Sequence, residues 1–172
     1  MNPADFDIGA LFAALDAERQ SRAMTWSQVA ADISRLFART SVRPIASSTL
    51  SGMRNKRALE GDGVLQMLRW LHRSPESFAP GHTAVLAEAS MLPSVGVGRI
   101  LRFDTRKLHM TLDAQRIARG LTWKQVAVEI GGVSAASLTR LELGGRTAFP
   151  QVMRMTGWLG RPVASFTRAE DR

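Results

Sequence analysis

Leu121-Thr122-Trp123-Lys124-Gln125-Val126-Ala127, in the second half of the chain, repeats Met24-Thr25-Trp26-Ser27-Gln28-Val29-Ala30 in the first. The offset is 97 residues. It extends back to Leu15-Asp16-Ala17-Glu18-Arg19 against Leu112-Asp113-Ala114-Gln115-Arg116, and forward to Ile33 against Ile130. The offset then becomes 88: Leu50 faces Leu138, Met53 faces Leu141, Met67 faces Met155, Trp70-Leu71 faces Trp158-Leu159, and Ser77-Phe78 faces Ser165-Phe166. The first copy therefore carries nine extra residues between Ile33 and Leu50. All four tryptophans fall at matched places, which marks a duplication.

Working outward, the 172 residues divide into a first unit at 1–80, a linker at 81–98 and a second unit at 99–172. The linker is rich in small residues, and Glu88 is its single charge. Thr83 to Met91 can form a short helix ended by Pro93. Whether it hangs free or packs between the copies is open. Apolar residues at 45% and charged residues at 22% fit a globular chain with two small cores. With no cysteine, disulfides, thiol catalysis and thiolate metal sites are excluded. Met1 to Asp5 lacks the pattern of a signal peptide. No stretch of roughly 18 apolar residues is present to span a membrane. The expected location is cytoplasmic, associated with the nucleoid.

Inside a copy, the spacing predicts helices only. Arg106 to Arg119 carries Leu108, Leu112 and Ile117 at near-helical spacing and stops at Gly120. Thr122 and Gln125 form a capping box for the next helix, and Thr25 and Gln28 repeat it. Gly131-Gly132-Val133-Ser134 supplies a tight turn, and Ser134 caps a third helix from Ala135 to Leu143. Phe149-Pro150 opens a fourth, ended by Gly160 and Pro162. In the first copy, the second helix is expected to run on to about Arg39, with a loop over the inserted 34–44 segment ending at Pro44. Trp26 and Trp123 are expected in the core, with a phosphate contact as the alternative.

The formal charge is +8. Residues 99–172 hold 13 basic and 6 acidic side chains, against 10 and 8 in residues 1–80. From Ile33 to Leu59 there are six basic residues and no acid. Such a balance attracts polyanions, of which nucleic acid is the commonest.

The stretch Leu121 to Gly131 followed by Val133-Ser134-Ala135-Ala136-Ser137-Leu138-Thr139-Arg140-Leu141-Glu142 resembles the lambda repressor/Cro/Xre family of helix-turn-helix domains. The likeness covers about 60 residues of each copy. It implies an all-α fold of two tandem lambda-repressor-like bundles, of four to five helices each. Two departures stand out. Gly132 is one residue more than the family turn usually has, so the turn must bulge. The first copy inserts Ser34 to Pro44 and has Arg54 where the second has Glu142.

The resemblance implies a sequence-specific regulator of transcription, a repressor in the first instance, with double-stranded DNA as partner and no cofactor or metal. Its third helix would enter the major groove. The base-reading residues would be Ser134, Ala135, Ala136, Thr139 and Arg140 in the second copy, and Ser47, Ser48, Ser51 and Asn55 in the first. Phosphates would be held by Arg43, Arg54, Lys56, Arg57, Lys124 and Arg146. Two unlike units in one chain imply an asymmetric or imperfectly palindromic site; a homodimer on top of this stays open. An enzyme is disfavoured, since His72, His82 and His109 lack ligand or triad spacing and no Gly-rich loop fits a nucleotide. The main alternative is a protein-interaction module or antiactivator that binds another regulator through the same fold.

Overall fold

The computed structural model describes residues 6–79 and 91–171. The protein is mostly helical. The first copy supplies α1 (Ile8–Ser21), α2 (Trp26–Arg35), α3 (Ser47–Ser51) and α4 (Gly61–Leu71). The second supplies β1 (Ile100–Phe103), α5 (Thr105–Ala118), α6 (Trp123–Ile130), α7 (Ala135–Arg140), α8 (Phe149–Leu159) and β2 (Thr167–Glu170). The short helix expected over Thr83 to Met91 lies outside the described residues, apart from Met91.

Two expectations are corrected. The copies are not free of strands: β1 and β2 pair antiparallel, Ile100 against Glu170 and Phe103 against Thr167. Four-residue strands are too short for alternation to register above the surrounding helical pattern. Second, α2 does not reach Arg39. It ends at Arg35, and Leu36, Phe37, Ala38 and Thr40 donate to carbonyls three residues back. These tight turns swing the Phe37 ring inward, where it is buried. The Ser34 hydroxyl accepts the Ile45 N–H at 3.0 Å and closes the inserted loop. Likewise the third helix of the second copy narrows to a 3-10 turn at Leu141–Leu143.

Buried side chains from both copies form one continuous core. The copies meet through equivalent residues. Positions 60 and 148 correspond, and Glu60 and Ala148 form an antiparallel bridge with each other. Gly61 N–H donates to the Thr147 carbonyl at 2.9 Å, and the matching Phe149 N–H donates to the Leu59 carbonyl at 3.0 Å. A contact that maps onto itself when the copies are exchanged indicates a two-fold relation, as at the interface of a symmetric dimer.

The two-fold is broken where it must be. Phe149 packs between the equivalent residues Phe6 and Phe103, with ring centroids 4.5 and 5.5 Å away. Gly61 is the counterpart of Phe149. A β-carbon there would lie 2.5 Å from the Phe103 ring and 2.9 Å from the Thr147 carbonyl. There is room for one aromatic ring on this axis, and glycine opposite makes that room.

Polar contacts tie the halves further. Gln66 on α4 donates to the Leu101 carbonyl of β1 at 2.6 Å. Asp62 accepts the Phe103 N–H at 3.1 Å and pairs with Arg102 at 2.8 Å. The buried Glu76 carboxylate accepts the Val163 N–H at 2.7 Å. The start of each copy thus packs on the last long helix of the other: β1 on α4, and Phe6 on Phe149.

Gly61→Ala is expected to lose about 1–3 kcal/mol, the usual cost of overpacking a closed site. Gly63→Ala, on the same helix with open space around its β-carbon, should be neutral or gain up to about 1 kcal/mol. Denaturant unfolding of both variants checks this; equal losses would contradict the packing at the axis.

Candidate nucleic-acid interface

Each copy presents a helix, a turn and a short exposed helix, held by a matched set of side chains. Thr122 Oγ1 accepts the Gln125 N–H at 3.3 Å, and Gln125 Oε1 accepts the Thr122 N–H at 2.8 Å. Thr25 and Gln28 do the same at 3.3 and 2.7 Å. These reciprocal bonds satisfy donors that a helix start leaves orphaned.

The tryptophans at these starts are half-buried, each with an arginine over its ring and a second ring stacked on it. Arg116 pairs with Asp113 at 2.7 Å, donates to the Leu121 carbonyl at 2.9 Å and lies 5.0 Å over Trp123, which also stacks on His109. In the first copy Arg19 pairs with Asp16, bonds the Met24 carbonyl at 3.0 Å and lies 5.1 Å over Trp26, which stacks on Phe12. Both rings therefore act in packing. A second arginine repeats the pattern one turn on. Arg119 grips Glu129 with two bonds of 2.7 and 3.0 Å and lies over Trp158, which donates to the same carboxylate at 2.8 Å. Arg119 first, then Trp158, holds the Glu129 carboxyl below its ordinary range. Arg22 lies 4.9 Å over Trp70 in the first copy.

The turn before α7 explains its extra glycine. Gly131 and Gly132 both have positive φ, +73° and +67°. The Arg154 guanidinium occupies the place of a Gly132 side chain: a β-carbon there would lie 1.9 Å from its Nη1. The bulge thus lets a cation from α8 reach the turn.

On α7, Ser134, Ala136, Thr139 and Arg140 are exposed and Ala135 is half-buried. Several of the polar groups are already engaged. The Ser134 hydroxyl caps the helix by accepting the Ser137 N–H at 3.1 Å. The Thr139 hydroxyl turns back to the Ala135 and Ala136 carbonyls at 3.2 and 3.1 Å. Arg140 is the long donor left facing outward. On the first copy Ser48 and Ser51 are exposed and Ser47 is half-buried on α3, while Asn55 is exposed beyond its end, in a 3-10 turn at Met53–Asn55.

Two sets of cations bear on this surface. Arg19, Arg22, Arg116 and Arg119 are paired within their own copy. Arg43, Arg54, Lys56, Arg57, Lys124 and Arg140 are exposed and have no ion-pair partner among the described residues. Arg146 differs, meeting Glu60 across the two-fold at 3.1 Å.

Arg146 also stands between the short helices. It lines a groove of about 340 Å³ with Ser137 and Arg140 of α7 and Gln151 of α8. It lines a second cavity, of about 350 Å³, with Ala46 and Thr49 beside α3. Ser137 and Gln151 were not among the residues singled out from sequence. The place of Gln151 in the first turn of α8, two residues after Phe149, was the available signal. Among the described residues, no cluster of His, Asp and Glu could hold a metal ion, and no helix is long and apolar enough to cross a membrane.

Comparison with known protein families, curated proteins and solved structures finds no match to this chain.

Proposed function

We propose that the chain is a DNA-binding regulator that uses two unlike helix-turn-helix units, of the lambda repressor/Cro/Xre kind, as the two halves of a dimer held in one polypeptide. The observation that carries this reading is the set of free cations around the short exposed helices. Arg19, Arg22, Arg116 and Arg119 are held in pairs within their own copy, whereas Arg43, Arg54, Lys56, Arg57, Lys124 and Arg140, around α3, α6 and α7, are exposed and have no ion-pair partner among the described residues. Free cations beside short exposed helices are what a duplex requires: phosphates take the charge, and the helix reaches the base edges.

In this reading Lys124 and Arg140 serve the second unit, and Arg43, Arg54, Lys56 and Arg57 serve the first. The carboxylate of Glu60 offsets part of the field of Arg146, which contributes less. The operator is asymmetric, because serines face out from α3 while alanines and Arg140 face out from α7. The protein works in a cytoplasm, on the nucleoid, as a repressor that needs no cofactor.

One observation favours a second reading, in which the fold binds another regulator. Two alanines offer little to bases, and the nearby Val128 and Leu143 are 83% and 73% exposed. Apolar side chains left in water suit a protein partner better than a phosphate backbone.

Titration of random duplex DNA separates the two. A DNA-binding regulator should bind with Kd on the order of 10⁻⁴–10⁻⁶ M and weaken steeply as salt rises, with one chain per site. Flat salt dependence, or no binding, would favour the partner module. Within the DNA reading, Arg57→Ala should weaken all sequences alike and reduce the salt slope by about one. Arg140→Ala should relax preference at one base pair by about 1–3 kcal/mol. Selection of bound fragments with each variant measures both, and indistinguishable profiles would contradict the division of roles.

A further inference from the structure

The first copy departs from the second in two ways that meet at one place. Its nine extra residues supply Phe37, Val42, Arg43 and Pro44 to the wall of the 350 Å³ cavity beside α3. Its α4 carries Gly63 on that wall where α8 carries the equivalent Gln151, and a β-carbon on Gly63 would meet no atom within 4 Å. Glycine within a helix costs stability unless space is needed. Here the space opens onto the apolar side chains of Met67 and Ile100.

We infer that this cavity binds a small amphipathic monoanion, an apolar chain or ring of about ten carbons bearing one carboxylate or equivalent group, a size that suits a cavity of this volume. The sign of the charge follows from the rim. The acids there are engaged: Asp62 pairs with Arg102, and Glu60 with Arg146. Arg43, on the inserted loop, has no ion-pair partner among the described residues. A carboxylate seated over the apolar floor would meet its guanidinium, a charge-assisted pairing.

Arg43 is followed by Pro44, Ile45 and Ala46, which lead directly into α3. Ala46 and Thr49 also line the cavity, so an occupant touches the base of the first reading helix. Occupancy would therefore alter how that helix is presented. This regulatory clause rests on the DNA reading; the binding site itself does not.

Isothermal titration of the full chain with decanoate and with 1-decanol, without DNA, tests the site. Decanoate should bind saturably at one site, about tenfold or more tighter than the alcohol, as expected for pairing with a charged partner. Gly63→Leu should abolish binding while leaving the thermal unfolding midpoint unlowered, since its side chain fills open space on a helix. Arg43→Ala should bring decanoate down to the level of the alcohol. Absence of saturable binding, equal affinity for acid and alcohol, or full binding by Gly63→Leu overturns the proposal. Duplex binding is then compared with and without decanoate. A shift in affinity supports the coupling, and an unchanged affinity overturns it. A chain that takes decanoate but binds no duplex overturns the DNA reading and leaves the site standing.

Discussion

Leu59 to Gly61 lies against Thr147 to Phe149 where the copies meet, and the placement of α3 and α7 follows from that contact. Two backbone hydrogen bonds, related by exchange of the copies, set the angle between α4 and α8. Phe149 then fills the axis between Phe6 and Phe103. Because the short helices hang from α4 and α8 through the same turns, fixing the axis fixes their spacing. In a two-chain dimer such a spacing exists only in the fraction of chains that is assembled, which depends on protein concentration. Within one chain it does not.

Covalent linkage also permits what identical subunits cannot have. A symmetric dimer must place the same residue on both sides of its axis. This chain places phenylalanine on one side and glycine on the other, so the ring fits without a clash. The same freedom explains the divergence of the outer faces. The inserted loop, Gly63 and the serines of α3 belong to one copy, while the glycine bulge, Arg154 and the alanines of α7 belong to the other.

Much of this was legible in the residues alone. The capping boxes at Thr25 and Thr122, the Ser134 cap and the glycine stop after α8 are local features with local causes, and they appear where the spacing places them. The parts that were not legible depend on distant partners. Ile100 to Phe103 becomes a strand only because Thr167 to Glu170 and α4 are there to pair with it. The end of α2 at Arg35 is decided by the burial of Phe37, not by propensity. Arg43, Arg54, Lys56, Arg57, Lys124 and Arg140 are exposed with no ion-pair partner among the described residues, but the diversion of the Ser134 and Thr139 hydroxyls into helix bonds depends on local geometry that spacing does not give.

The exchange of opening segments between the copies has a bearing on how the protein comes apart. Neither half completes its interior from its own residues, since Phe6 needs α8 and the strand before α5 needs α4. The duplicated units have thereby given up separate existence. With one shared interior, heat or denaturant is expected to unfold both copies in a single cooperative transition.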